Sequence, residues 1–330
     1  MAKTRAMTRS YKSGLRKPQF SVLAQQNVFD SDDILLHVLY YCSLKEVGNF
    51  IIAFPRKKAV LSNIEIDYDV TIDSKKVIMF LVSNKIRLTS FSLDYDHKLT
   101  DYHLLALANI SPNLHTIDGG SDYQFQWSVS TAGIRWFTER CPRIENWLLL
   151  LRKPEVSLQV VSNAYPELRG VRIGPFDEGN GEYREVDRSV VVSFINRCQQ
   201  LEHLKIWSSD IEDADVELIC TLRRLQYLEL YNCSTLTPNC LQFLLECNHL
   251  EILRILLSVV HSDSTEDDDS TENDEMDDFN EMIFELLTKS KSLHYVEVDV
   301  YREEVEDIVV PPTWRRVVSN DDSAHKFFKL

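Results

Sequence analysis

No apolar run in this sequence reaches the roughly 18–20 residues needed to cross a bilayer as a helix. The stretch from Val77 to Val82 is about a turn and a half, and the start lacks a secretory apolar segment. Cysteine pairs two to four residues apart, the usual signature of a structural zinc site, are absent. The seven cysteines are scattered in mostly apolar contexts, which predicts a reduced cytosolic or nuclear protein whose buried thiols act as small hydrophobes. Cys233, Cys240 and Cys247 lie seven apart, and Cys240 and Cys247, two helical turns apart on one face, predict a buried stripe rather than a metal site. Glycine is scarce as well. Gly174, Gly179 and Gly181 fall in a polar insertion and do not form a phosphate-cradling fingerprint. No histidine pair flanks a glutamate at metal-binding spacing, and no serine or cysteine sits in a nucleophile elbow. These gaps point away from an enzyme, and no cofactor or metal is expected.

A broad positive field is missing too. The net charge is −15, and ten of the acids fall within 263–278, so leaving out that run takes the charge from −15 to −5. A body so near balance does not attract nucleic acid, and nothing suggests a membrane surface. Ten like charges in so short a run repel one another, which predicts a disordered insertion over 261–278. Ser264, with Glu266 and Asp267 downstream, is a candidate site for acidophilic kinases. Lys3, Arg5, Arg9, Lys12, Arg16 and Lys17 precede every acid. Residues 1–28 read as a basic disordered tail; a nuclear address and a mitochondrial presequence also fit residues 1–18.

What is present is a repeat. The pattern apolar-x-x-apolar-x-apolar recurs as Leu88-Phe91-Leu93, Leu114-Ile117, Ile144-Trp147-Leu149, Leu168-Val171-Ile173, Leu201-Leu204-Ile206, Leu225-Leu228-Leu230, Leu250-Leu253-Ile255 and Leu293-Val296-Val298. A weaker first copy is Leu61-Ile64-Ile66. The last two positions are two apart and so share one face of a short strand. About ten residues later a helical apolar set follows, such as Leu104, Leu105, Leu107 and Ala108 or Val216, Ile219 and Leu222. Each unit is strand, turn, helix and return, and only stacked units share a continuous core. Before several strand starts the chain reads Ser111-Pro112-Asn113-Leu114, Cys141-Pro142-Arg143-Ile144 and Tyr165-Pro166-Glu167-Leu168. Proline there ends each helix at one phase. Cys198, Cys247 and Ser290 hold the same place without proline.

Together with Leu99-Thr100-Asp101 and the partial Leu236-Thr237-Pro238, these residues resemble the cysteine-containing leucine-rich-repeat family. The fold expected is α/β, a horseshoe-shaped leucine-rich-repeat solenoid over 62–300, with a C-terminal cap and tail over 301–330. Residues 29–61 have another grammar. Asp32 and Asp33 favour a helix start ahead of Ile34, Leu35, Val38 and Leu39, and Ser43 with Glu46 forms a capping box ahead of Leu44, Val47 and Phe50. A third helix is expected from Pro55 through Leu61. The string from Asp32 to Val47 looks like an F-box, with Ser31 and Lys57 where that family has proline and tryptophan. An F-box ahead of leucine-rich repeats implies the substrate-receptor subunit of an SCF-type ubiquitin ligase. Ile34, Leu35, Val38, Leu39, Leu44 and Val47 would contact a Skp-type adaptor, and a cullin would complete the complex. Read from the residues alone, the segment is equally a helical cap, and the whole a scaffold or assembly factor acting without a ligase.

A protein substrate would meet the strand residues lying between the core positions. The C-terminal half supplies His203, Lys205, Trp207, Tyr227, Glu229, Tyr231, Arg254, Tyr295 and Glu297, with Leu256 and Asp299 beside them. Aromatics mixed with single charges suit a protein-binding patch. The earlier strands present Thr89, Ser90, Ser92 and Asp94, a blander surface.

Overall fold

A computed structural model describes residues 63–66, 74–93, 100–119, 129–149, 154–174, 176–177, 183–184, 186–207, 210–233, 235–237, 239–257, 271–300, 310–318 and 324–330. The chain divides into two units, residues 1–61 and 62–330. The adaptor candidates Ile34, Leu35, Val38, Leu39, Leu44 and Val47 lie outside the described residues, as does Ser264.

The second unit alternates strand and helix. The strands are β1 (Asn63–Ile66), β2 (Ser90–Leu93), β3 (Thr116–Asp118), β4 (Asn146–Leu148), β5 (Gly170–Ile173), the short hairpin β6 (Phe176–Asp177) and β7 (Tyr183–Arg184), β8 (His203–Trp207), β9 (Tyr227–Tyr231), β10 (Ile252–Leu257), β11 (Tyr295–Val300), β12 (Trp314–Val318) and β13 (Ala324–Lys329). Between them run α1 (Ser74–Asn84), α2 (Asp101–Ile110), α3 (Thr131–Arg140), α4 (Pro154–Ala164), α5 (Arg188–Arg197), α6 (Asp213–Cys220), α7 (Cys240–Leu244) and α8 (Thr271–Lys289). The main sheet has the order β1-β2-β3-β4-β5-β8-β9-β10-β11-β13-β12. From β1 to β11 every neighbour is parallel and every step goes to the next unit. The fold is α/β, a one-dimensional stack of strand–helix units.

The middle apolar residue of each copy explains the register. Ile64 pairs with Phe91, and the row continues through Ile117, Trp147, Val171, Leu204, Leu228, Leu253 and Val296 to Phe327. From Phe91 to Phe327 every member is fully buried. Large aliphatic and aromatic side chains each contribute roughly 1.5–3 kcal/mol on burial. Slipping one strand by a residue would turn its member of the row to the opposite face. The helices close the other side of this core at i, i+3 and i+4 spacing, as with Leu104, Leu107 and Ala108 of α2 or Val191, Phe194 and Ile195 of α5.

Two polar columns tie neighbouring units together. At the helix C-termini the Ser111 hydroxyl accepts from the Leu88 N–H at 2.9 Å, and the Cys141 thiol donates to the Ser111 carbonyl at 3.6 Å. Next, the Tyr165 hydroxyl donates to the Cys141 carbonyl at 2.8 Å, and the Cys198 thiol to the Tyr165 carbonyl at 3.8 Å. This is the physical content of the small-or-cysteine position before each strand. Burial pushes the Cys141 and Cys198 thiols up to about 12, which keeps them protonated as donors. At the helix N-termini, Asp101 accepts from the Ser130 N–H at 2.7 Å and from its hydroxyl at 2.6 Å. Asp213 does the same for Thr237 at 2.9 and 2.5 Å. The aspartate of the Leu99-Thr100-Asp101 string is therefore a clasp onto the next helix start.

Three expectations change. Cys220 and Cys247 are joined in a disulfide, whereas the sequence predicts separate thiols; Cys141, Cys198, Cys233 and Cys240 are buried thiols. Helix α7 ends at Leu244, so Cys240 and Cys247 do not form a helical stripe. The acidic run is not wholly irregular either, because α8 begins at Thr271 and includes the acids from Glu272 to Asp278.

At the C-terminal end β13 pairs antiparallel with β11, and β12 lies outside it. Trp314 is buried and its indole N–H donates to the Leu287 carbonyl at 2.7 Å. This antiparallel pair extends the sheet by two strands beyond the last repeat.

Gly133 tests the clasp. A Cβ there would stand 2.1 Å from Asp101 Oδ1, so Gly133→Ala has to break the Asp101–Ser130 link. Alanine is the better helix former by about 1 kcal/mol, yet the lost hydrogen bonds cost about 1–3 kcal/mol. Urea unfolding should show Gly133→Ala destabilising the wild type but neutral or stabilising in an Asp101→Ala background. Equal effects in both backgrounds would contradict the clasp.

Candidate protein-binding face

The face opposite the buried row carries two lateral rows of its own, set by the same register. The first runs Ser90, Thr116, Asn146, Gly170, His203, Tyr227, Ile252, Tyr295, Phe328 and Arg315. It is small or polar in the early strands, and from β8 to β13 it is His203, Tyr227, Tyr295 and Phe328 with Ile252 between the two tyrosines. The Asn146 amide donates to Thr116 Oγ1 at 3.1 Å, and a Cβ on Gly170 would meet Asn146 Oδ1 at 2.3 Å. His203 and Tyr227 have ring centroids 6.0 Å apart, and Tyr295 and Phe328 pack edge-on at 5.1 Å.

The second row comprises Ser92, Asp118 and Leu148 in β2 to β4, and Arg172, Lys205, Glu229, Arg254, Glu297, Lys326 and Val317 from β5 onward. From β8 its charges form a ladder. Lys205 lies 3.3 Å from Glu229, Arg254 reaches Glu297 at 3.1 Å and Glu229 at 4.0 Å, and Lys326 lies 3.3 Å from Glu297. The two tyrosines repeat one local device: Tyr227 donates its hydroxyl to Glu229, and Tyr295 donates to Glu297 at 2.7 Å. Arg254 stands between them, 6.0 and 5.6 Å from the two ring centroids.

Glu229 is the hub. Besides Tyr227, it accepts from the Trp207 indole N–H at 2.7 Å. Burial alone would raise its carboxyl, but the Lys205 charge and the bonds from Tyr227, Trp207 and Lys205 outweigh it, and the net shift is downward. Burial lowers the Lys205 ammonium against the pull of Glu229. It also lowers the His203 imidazole, and raises the Tyr295 phenol to about 12 with help from its bond to Glu297.

The sequence-predicted residues divide accordingly. His203, Lys205, Tyr227, Tyr231, Arg254, Tyr295 and Glu297 are exposed or half-buried on this face. Trp207 and Glu229, expected as contact residues, are 4% and 8% exposed, so they build the surface from beneath. Leu256 and Asp299 are partners in the β10–β11 register. Ile252 was missed although it sits between core positions like the others. Arg315, Val317, Lys326 and Phe328 were missed because β12 and β13 do not follow the repeat; only their alternating polar and apolar residues hint at strands.

No family model matches this sequence, and no curated protein matches it. Among solved structures the chain is similar to the crystal structure of the Rad7 and Elc1 complex in yeast, at 12% identity and a TM-score of 0.39, over 94% of this chain and 95% of that one.

Both Glu229 and His203 have folded values below their unfolded ones, so each contributes stability above its unfolded value and loses it as pH falls. Acidification should therefore weaken the fold first through the imidazole range and again through the carboxylate range. Glu229→Ala, which leaves Lys205 uncompensated, should cost toward the low end of about 3–5 kcal/mol at neutral pH. Glu229→Gln should shrink the second stage and leave the first in place. Urea titrations across pH check this; an unchanged acid limb in Glu229→Gln would contradict it.

Proposed function

We propose that this chain is a leucine-rich-repeat substrate receptor of an SCF-type ubiquitin ligase, itself non-catalytic, working in the cytosol or nucleus. The observation that carries the reading is the open sheet face from β8 to β13. There an aromatic row and a charge ladder stand side by side on a rigid, registered support. Its titratable groups are tied to one another as a structural network, and what they leave outward is ring surface and cationic side chains. That composition suits capture of another polypeptide, in which buried aromatic and arginine anchors supply most of the binding energy.

The ligase half of the proposal draws on the F-box resemblance of Asp32 to Val47. There Ile34, Leu35, Val38, Leu39, Leu44 and Val47 would pack against a Skp-type adaptor, and a cullin would join through it. Ser31 and Lys57, which depart from that family's pattern, favour the second reading: a ligase-independent scaffold or assembly factor using the same face.

Affinity purification of the full chain under mild conditions separates the two. A Skp-type adaptor and a cullin should co-purify, and Leu35→Glu with Leu39→Glu should lose both while leaving the repeat unit folded. Recovery of a face-dependent partner with neither adaptor nor cullin would reject the ligase role and leave the scaffold.

A further inference from the structure

The charges of this face are arranged in depth. Along the second row from β8 to β13 the two glutamates are less exposed than the bases beside them: the Glu229 and Glu297 side chains are 10% and 20% exposed, against 23% for Lys205, 30% for Lys326 and 46% for Arg254. Arg315, also exposed, continues the aromatic row next to Phe328. The arrangement ends at β5, where the order reverses and Arg172 at 4% lies beneath Asp118 at 24%. A partner approaching the later strands therefore meets positive ends first, although the charges nearly cancel along the ladder.

The same strands carry the outward apolar surface. Phe328 and Val317 are each 39% exposed, and Tyr295 packs on Phe328. Neighbouring strands are about 4.8 Å apart, so Tyr227 and Tyr295 are separated across the sheet by on the order of 10 Å. An extended chain covers that distance in about three residues.

We infer that the face from β8 to β12 receives an acidic polypeptide segment with aromatic or aliphatic anchors, lying across the strands. Its anchors pack among Tyr227, Tyr295 and Phe328, and its carboxylates meet Arg254, Lys326 and Arg315. This rests on the reading of the same face as a partner-binding surface and names the chemistry of what it takes. A nucleic acid would also offer rings and negative charge. Against it, the bases alternate with Glu229 and Glu297 along the row and so form no unbroken cationic track for a run of phosphates, and the whole chain carries −15.

Three labelled synthetic peptides of equal length test it, each with the same spaced phenylalanines, the intervening residues being glutamate, glutamine or lysine. Fluorescence anisotropy with the full chain should show the glutamate peptide binding about tenfold or more tighter than the glutamine one, with the lysine peptide weakest and the preference shrinking as salt rises. Arg254→Ala with Lys326→Ala should erase the preference. The exposed-site variant Arg315→Glu, which disturbs no pairing within the sheet, should reduce it. Equal binding of all three peptides, or preference for lysine, would overturn the inference while leaving a protein-binding face. No binding of any peptide would overturn that reading as well. Displacement of the glutamate peptide by a single-stranded oligonucleotide at lower concentration would overturn the polypeptide assignment.

Discussion

The lateral row from Ile64 through Phe91 and Leu228 to Phe327 is the constraint on which the rest depends. Because strand side chains alternate between faces, fixing which residue of each unit is buried fixes what every unit shows on the opposite side. The aromatic row and the charge ladder are consequences of that burial. Neither has a local sequence signal of its own, since Tyr227 and Tyr295 lie far apart in the chain and become near neighbours only through β10.

Hydrophobic burial sets the register, but polar links join one unit to the next. A unit buries its apolar side only against its neighbours, so each interface needs contacts that survive without long-range closure. The column Ser111, Cys141, Tyr165 and Cys198 supplies them at one end of the helices, and Asp101 and Asp213 at the other. Hydrogen bonds confined within the interior are costly to break, which gives these positions weight beyond their number. The open face is supported likewise from below: Trp207 holds Glu229, and Glu229 holds the bases that stand outside it.

The sequence was most legible where a residue type recurs at a fixed phase. The apolar triplets located β2 to β5 and β8 to β11, and the proline and cysteine positions located the helix ends. What recurs once was harder to read. The β12–β13 pair follows a period of two in a chain read by a period of about twenty-five. Trp207 and Glu229 stand at positions facing the open side, and alternation alone does not reveal that an indole and a carboxylate there cover each other. The Cys220–Cys247 bridge joins two units whose helices differ in length, so spacing along the chain did not announce it. Acids 272–278 are dense enough in charge to suggest an irregular segment, and charge density carries no information on helix formation at Thr271–Lys289.

The aromatic C-terminal part of the open sheet face is proposed as the seat of another polypeptide. Hydroxyl-radical footprinting of the full chain, alone and with a partner recovered from cells, addresses it directly. Oxidation of Tyr227, Tyr295 and Phe328 should fall on complex formation while that of the helix-side residues Met79 and Tyr102 should not change. Protection of the helix side with those three rings unaffected would contradict it.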